Sequence, residues 1–307
     1  MWVGERETRP TYEEQEMRIN GREIAAKIYK DLERRVGELQ EKGISPTLAV
    51  MLVGKDPASR AYVLQKEKWG EKIGVTVAVD SYETPTTTEE LLERLHMLNR
   101  DTNIHGIIIQ RPVPSHINGT VLTNETSPAK DVDGFHPESP FDPPVALAVL
   151  KILEDIYHKL HKGYSLQGVS LQKRIIFSDW LHQQRIVVLG KGETAGKPIQ
   201  KLLTKRGLSP TVIDSKTPSS QLITNNADII ISAVGKPNVI KSEMLKREAV
   251  LIGVGLHGED SKLRGDYDEQ EIKNTAAFYT PTPGGVGPVN VAMLLSNLVQ
   301  AAEDQSN

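Results

Sequence analysis

Short, almost uninterrupted apolar segments alternate with amphipathic stretches along most of this chain, and this alternation constrains its fold more than any other feature. The segments TLAVMLVG at 47–54, GIIIQ at 106–110 and RIVVLG at 185–190 have the length of strands and lack polar alternation. A strand that is apolar on both sides must be covered on both faces, which is typical of parallel sheets. The pattern therefore predicts an α/β fold built from βαβ units.

Helical periodicity fills the intervals between the predicted strands. The first helix is indicated by apolar residues at helical spacing, namely Ile24, Ile28, Leu32, Val36 and Leu39. A further strand is predicted at 75–79, and Thr87 with Glu90 forms a capping-box pattern ahead of the next helix. The proline-rich stretch PESPFDPPVA indicates a linker before a helix near 145–159, whereas 161–184 shows no pattern that assigns it.

Length and composition limit the class of protein. A chain of 307 residues suggests about two domains, and a net charge of −3 gives no bulk attraction for nucleic acid or an anionic membrane. The chain has no cysteine, which excludes disulfides and thiolate chemistry and suits a reducing, cytoplasmic location. No apolar run reaches the ~18–20 residues of a membrane span, and residues 1–16 are expected to form a flexible, charged tail.

A glycine-rich turn follows the segment RIVVLG. Gly190, Gly192 and Gly196 are spaced G-x-G-x-x-x-G, one residue longer than the common dinucleotide-binding pattern. Glycines let the backbone approach a pyrophosphate, and the next helix offers free N–H groups, although a tight turn that binds nothing fits the same spacing. Asp214 stands 24 residues after Gly190, where an acid that binds a ribose hydroxyl is expected, but it also suits a turn at a strand end.

The charges around this turn leave the choice of coenzyme open. A carboxylate at Asp214 repels a 2′-phosphate and favours NAD, whereas Lys191 and Lys216 would neutralise that phosphate and favour NADP. The balance tilts slightly towards NAD. Lys191 and Ser215 complete the predicted coenzyme site, and no metal is expected.

A second candidate site begins on the helix AYVLQKEKWGEKIG. Tyr62 and Lys66 lie four residues apart, so they share one helix face, which is either solvated or directed into a pocket. Gln110 ends the strand in GIIIQRPVP, where α/β sheets place ligands, and Asp133 lies in the tight turn of KDVDGFH. The loop TPTPGGVGP at 280–288 has a backbone path fixed by its prolines and glycines.

Taken together and in order, these motifs resemble the bifunctional methylenetetrahydrofolate dehydrogenase/cyclohydrolase family. The resembling segments are SRAYVLQKEK, GIIIQRPVP, KDVDGFHP and TPGGVGP, with weaker matches at LAVMLVGKDPAS and ADIIISAVGKP. The resemblance covers the chain from about Ile19 to Glu303. It implies oxidation of 5,10-methylenetetrahydrofolate with NAD or NADP, followed by hydrolysis of the methenyl product to 10-formyltetrahydrofolate, in one-carbon metabolism.

The resemblance also implies roles for individual residues. Lys66 is expected to be the catalytic lysine, with Tyr62 stacking on or orienting the folate and Gln110 hydrogen-bonded to the amine. Asp133 is expected to anchor the amino edge of the pterin. The loop residues Pro283, Gly284 and Gly285 are expected to line the folate cleft.

The same resemblance implies an arrangement of domains. Residues 17–140 and 287–307 are expected to form a folate-binding catalytic domain, and 141–286 an NAD(P)-binding domain of Rossmann type, with a cleft between the two. The last helix is expected to return to the first domain. A homodimer that pairs through the coenzyme domain is also implied.

Departures from the family pattern cluster on the coenzyme side. Lys191-Gly192 stands where the family has arginine and serine, Val145 lies where a polar run is usual, and Asn290 replaces a threonine. Lysine offers phosphate a point charge without the planar fork of arginine. Two alternatives to the bifunctional enzyme therefore stay open, namely a monofunctional cyclohydrolase with a weakened dehydrogenase site and a non-catalytic folate- or nucleotide-binding protein.

Overall fold

The amino-terminal half of the protein is built on a three-stranded parallel sheet. The computed structural model describes residues 17–161, 170–259 and 262–306. The elements of this half are α1 (Gly21–Glu41), β1 (Thr47–Val53), α2 (Pro57–Lys72), β2 (Thr76–Tyr82), α3 (Thr88–Arg100), β3 (Gly106–Ile109) and α4 (Gly119–Glu125). The strand order of the sheet is β2-β1-β3.

The helices of this half begin where side chains satisfy their free backbone N–H groups. At α2 the Asp56 carboxylate accepts from Ser59 N at 2.7 Å, and Pro57 occupies the first turn. The predicted capping box of α3 is confirmed, because Thr87 Oγ1 accepts from Glu90 N and Thr87 N donates to the Glu90 carboxylate. The strand predicted at 75–79 begins one residue later and continues to Tyr82.

A second, five-stranded parallel sheet follows. Its strands are β4 (Ile186–Leu189), β5 (Thr211–Ile213), β6 (Ile229–Ser232), β7 (Val250–Gly253) and β10 (Phe278–Tyr279), in the order β10-β7-β6-β4-β5. Between β7 and β10 an antiparallel hairpin forms from β8 (Leu256–Glu259) and β9 (Lys262–Gly265). The helices of this half are α5 (Pro144–Leu160), α6 (Ser170–His182), α7 (Gly196–Lys205), α8 (Ser220–Thr224), α9 (Glu269–Ile272) and α10 (Val286–Asp304).

The central strands of both sheets are buried, as their apolar sequences predict. Every residue of β4, β6 and β7 is buried, and their register pairs Leu189 with Ser232 and Ser232 with Gly253. The α/β fold with two parallel sheets, the second of Rossmann type, is therefore confirmed. Because the strands are parallel, their carboxyl ends meet at one edge of each sheet, where α/β proteins bind ligands.

Two long helices connect the sheets. The last helix, α10, packs against both α1 and α5, and α5 also packs against α7 beneath the second sheet. Asn297 on α10 donates to the backbone oxygens of Val132 and Asp142, at 2.9 and 3.0 Å, so it fixes the proline-rich segment that leads into α5. Apolar side chains of α10 accordingly belong to the cores of both halves.

Some segments escaped the sequence analysis. The stretch 161–184 contains helix α6, while residues 162–169 and the predicted tail at 1–16 lie outside the described residues. The short helices α4, α8 and α9 and the β8–β9 hairpin gave no periodic signal because each is only a few residues long. Within the described ranges, no helix is both long enough and apolar enough to cross a membrane.

Candidate active site

A cavity of about 490 Å³ lies between the two sheets. On the side of the first sheet its wall contains Tyr62, Lys66, Gln110 and Asp133. On the other side the wall is formed by residues 233–235 after β6 and residues 254–258 after β7. The four residues predicted from the helix and strand motifs of the first half are therefore brought together at one cavity.

Lys66 is held in this wall by a single side-chain amide. Its side chain is 8% exposed, and Nζ donates to Gln110 Oε1 over 2.7 Å. Gln110 Nε2 donates in turn to the backbone oxygen of Arg111 at 2.8 Å. Since a carbonyl oxygen only accepts, this second bond fixes the amide so that its oxygen faces the amine.

Burial controls the protonation of Lys66. Burial lowers the pKa of the Lys66 amine, and the nearby charge of Asp133 opposes that change. Burial also raises the pKa of Asp133 to about 6, although the positive charge of Lys66 acts in the opposite direction. Burial therefore moves both pKa values towards neutral pH. A lowered lysine pKa favours exchange of a proton at physiological pH.

Tyr62 lies one turn before Lys66 on the same face of α2. Its side chain is partly buried and lines the cavity, and burial raises the pKa of the phenol. The phenol therefore stays neutral, and an aromatic ring is placed beside the amine. A ring in this position can stack on a flat heterocycle.

Arg111 contributes a fixed positive charge at the same cavity. Its Nη2 donates to Thr123 Oγ1 at 2.6 Å, and its guanidinium carbon lies 4.8 Å from the centre of the Phe135 ring. The charge lowers the pKa of Asp133 against the effect of burial. Arg111 is thus held by neighbours that belong to the first half.

The predicted glycine turn leaves no room for a side chain at two of its three glycines. Gly190 has φ +104°, and a Cβ on Gly196 would lie 2.1 Å from the Gly190 backbone oxygen, so neither position accepts a side chain. Helix α7 begins at Gly196, and its N-cap residue Ala195 supplies no side-chain cap. Thr194 and Ala195 line the cavity, so the uncapped amino end of α7 adjoins it, as an anionic ligand requires.

The predicted coenzyme acid is already paired with the predicted coenzyme lysine. Lys191 Nζ donates to Asp214 Oδ2 at 2.9 Å, and the backbone N–H of Lys216 and the Thr217 hydroxyl donate to Oδ1. The Lys191 hydrogen bond, with the other donors, lowers the pKa of Asp214 to about 2. Ser215 and Gly192 are exposed beside this pair.

Not every predicted site residue reaches the cavity wall. Of the described residues that line it, none comes from 283–285 or from 190–192, and Pro283 is exposed. Gly284 instead accepts from Gly21 N at 2.9 Å, so this loop docks on the start of α1. Their predicted roles stay predictions.

The cavity also contains residues that motif analysis missed. Val291 and Leu294 of α10 belong to it, next to Asn290, which the sequence had marked as a departure from the family pattern; Thr194, Ala195 and the loop 233–235 belong to it as well. The loop follows a buried strand, so the rule that ligands bind at the carboxyl ends of strands would have found it. In the described part of the chain, no group of three or more His, Cys, Asp or Glu side chains is arranged to hold a metal ion.

Comparison with known proteins gives a consistent result for both halves of the chain. A family model for the tetrahydrofolate dehydrogenase/cyclohydrolase catalytic domain matches residues 19–133, and one for the NAD(P)-binding domain of the same family matches residues 173–306. The "Bifunctional protein FolD" of Halalkalibacterium halodurans is 39% identical over 286 residues, which cover 93% of this chain and 98% of the relative.

Solved structures agree with this result. The FolD methylenetetrahydrofolate dehydrogenase/cyclohydrolase of Campylobacter jejuni is 34% identical, with a TM-score of 0.81 over 93% of this chain and 98% of that one. The corresponding enzyme of Trypanosoma brucei, solved with NADP and an inhibitor, is 30% identical, with a TM-score of 0.83 over 94% and 98% of the two chains.

Proposed function

The chain belongs to the tetrahydrofolate dehydrogenase/cyclohydrolase family, and from this premise we propose that it is a bifunctional enzyme of one-carbon metabolism. It oxidises 5,10-methylenetetrahydrofolate to the methenyl form with NAD or NADP and hydrolyses the product to 10-formyltetrahydrofolate. The comparisons support this function and not a monofunctional or non-catalytic alternative.

One observation carries the proposal. The cavity that holds the buried Lys66 amine is continuous with the carboxyl ends of β6 and β7 and with the amino end of α7. A folate bound against Lys66 and a coenzyme bound along the second sheet therefore meet in one space. Both reactions can occur at one site without release of the intermediate.

Lys66 is the proposed base of the hydrolysis. Its pKa is lowered by burial, and the methenyl substrate is itself a cation, which lowers it further by charge repulsion. The neutral amine accepts a proton from the water that attacks the methenyl carbon, a contribution typically worth ~10²–10⁴ in rate. Gln110 holds the amine over 2.7 Å without adding a charge.

The remaining predicted residues orient the folate. Tyr62 offers its ring to the flat pterin, and Asp133 accepts hydrogen bonds from the amino edge. A carboxylate with a pKa of about 6 is ionised at neutral pH and so is an acceptor. We assign Pro283, Gly284 and Gly285 to the outer part of the folate cleft, because they lead directly into α10, whose Asn290 lines the cavity.

The coenzyme is held by residues of the second sheet. A nicotinamide coenzyme, when bound, supplies the hydride acceptor for the oxidation. Gly190, Gly192 and Gly196 with the amino end of α7 fit its pyrophosphate, and Asp214 with Ser215 fits its ribose. NAD is favoured over NADP, because the Lys191 charge is already engaged by Asp214 at 2.9 Å.

We further propose a domain division, an assembly and a location. Residues 17–140 with 287–307 form the folate-binding domain, and 141–286 form the coenzyme-binding domain. The chain forms a homodimer through the latter, whose sheet ends in the edge strand β5 and whose helix α8 carries Leu222, which is 65% exposed. The absence of cysteine suits the cytoplasm.

A coenzyme assay tests the proposal. Purified protein is given methylenetetrahydrofolate with NAD or with NADP, and reduced nicotinamide is followed by absorbance while methenyl hydrolysis is measured separately. We expect both activities, with higher kcat/KM for NAD. Hydrolysis without reduction of either coenzyme would show that the protein is a cyclohydrolase alone. If the protein had neither activity, the proposed function would be refuted.

A further inference from the structure

Asp266 is a completely buried carboxylate that the chemistry above does not use. It follows β9, and its oxygens accept four hydrogen bonds. Oδ2 accepts from Ser232 Oγ at 2.6 Å and Val234 N at 3.0 Å, and Oδ1 accepts from Gly235 N at 2.8 Å and Lys236 N at 3.1 Å. Three consecutive backbone N–H groups thus surround one side chain, which is the pattern of an anion-binding nest.

The backbone leaves no spare room around this carboxylate. A Cβ added to Gly255 would lie 2.3 Å from Asp266 Oδ2 and 2.4 Å from Gly235 N. Gly235 itself has φ +71°, a conformation that lets its N–H turn towards Asp266. The position of the carboxylate therefore determines the path of the loop.

This loop adjoins both parts of the proposed coenzyme site. Ala233, Val234 and Gly235 line the cavity, and a Cβ on Gly190 would lie only 2.5 Å from the Ala233 backbone oxygen. The N–H groups of 234–236 are bonded to Asp266, so they are not available to a phosphate. The amino end of α7 is then left to bind the pyrophosphate, while the loop presents a preset surface to the nicotinamide half.

We propose that Asp266 is a positioning residue for the nicotinamide coenzyme, acting through the loop 233–236 whose backbone it holds. The inference rests on the proposed function, because it takes the cavity beside this loop as the coenzyme site. It does not involve the opposite side of the cavity, where Tyr62, Lys66, Gln110 and Asp133 of the first half lie. Dehydrogenation and hydrolysis therefore respond differently when Asp266 is altered.

Asp266→Asn is the direct test. The amide keeps the shape of the carboxylate, but its NH₂ group faces two of the four groups that donate to Asp266. Those two hydrogen bonds are lost, so the loop is no longer held in one conformation. We expect the Kd of NADH or NADPH, measured by coenzyme fluorescence, to rise at least tenfold, while kcat/KM for methenyl hydrolysis stays within threefold of wild type. Ser232→Ala is the control, because it removes the one donor outside the loop, and coenzyme Kd should stay within threefold.

A measurement on the wild-type protein keeps the inference testable if Asp266→Asn does not fold. Amide hydrogen exchange of residues 234–236 should already be slow without coenzyme, because Asp266 holds these groups, and coenzyme should change it little. Protection that appears only when coenzyme is added would overturn the inference. An unchanged coenzyme Kd in Asp266→Asn, or an equal loss of both activities, would also overturn it. Wild-type protein that reduces neither NAD nor NADP would instead refute the proposed function.

Discussion

Lys66 Nζ lies 2.7 Å from Gln110 Oε1, so the partner of the buried amine is a neutral amide rather than a carboxylate. A carboxylate at this distance would strongly stabilise the ammonium form, whereas a neutral amide oxygen fixes the position of the amine and favours the ammonium much less. The bond from Gln110 Nε2 to the Arg111 backbone oxygen prevents the amide from turning its N–H groups towards the amine. The pair is thus arranged to hold a lysine that can be neutral.

Replacing the amine itself tests its proposed role. Lys66→Met replaces the amine with an apolar side chain of similar length. The base is removed, so methenyl hydrolysis should fall by ~10²–10⁴. The free energy of unfolding should not fall, because the amine is buried at some cost. Loss of methenyl absorbance at pH 7.5 measures the first expectation, and thermal unfolding measures the second.

Lys68→Met provides the control for this change, because Lys68 is exposed on the same helix. It should hydrolyse the methenyl substrate at the wild-type rate. Wild-type hydrolysis by Lys66→Met would show that another group takes the proton.

A negative charge beside Lys66 should suppress hydrolysis at neutral pH. Gln110→Glu places a carboxylate where the amide now lies 2.7 Å from the amine, and an opposite charge so close raises a lysine pKa by about 1–3 units. Activity requires the neutral amine, so it should fall at least ~10-fold at pH 7 and recover as the pH rises. The measurement is kcat/KM for hydrolysis between pH 6 and 10.

Gln110→Met separates charge from position in this experiment. It removes the hydrogen bond without adding a charge, so hydrolysis should weaken while its pH dependence does not move upward. If the Glu and Met variants gave the same pH profile, the charge of the residue at 110 would not control the amine.

The sequence predicted the parts of the site that local patterns determine. The four-residue spacing of Tyr62 and Lys66 placed both on one helix face, and the end of a buried strand placed Gln110. No such signal indicated the contacts of Asp266. This residue lies 34 positions after Ser232 in the sequence, yet it contacts Ser232 and the loop that follows it. That contact depends on how the β8–β9 hairpin folds back across the sheet, which neither periodicity nor a local motif specifies.

Asp133 should destabilise the ligand-free protein at neutral pH. Its pKa rises from 3.8 to about 6, so the folded state holds the proton more tightly, and the resulting stability is complete below pH 3.8 and lost as the pH rises through about 6. That difference corresponds to about 3 kcal/mol at pH 7. Asp133→Asn does not titrate at this position, so the melting temperature of the variant minus that of wild type should increase between pH 4.5 and 7.5.

Glu71→Gln is the control for this experiment. Glu71 is exposed on α2, so the substitution removes one negative charge outside the cavity. Its melting temperature should follow that of wild type at both pH values. A constant gap between Asp133→Asn and wild type across this range would contradict a raised pKa at Asp133.

The pair of Lys191 and Asp214 should set the choice between NAD and NADP. Nζ lies 2.9 Å from Oδ2, so the lysine charge is engaged and the carboxylate repels a 2′-phosphate. Asp214→Asn removes that charge but can still accept from Lys216 N, so the kcat/KM ratio of NADP to NAD should rise at least ~10-fold. Lys216→Ala, which leaves this backbone donor in place, should change the ratio less. An unchanged ratio in Asp214→Asn would show that the coenzyme ribose lies elsewhere.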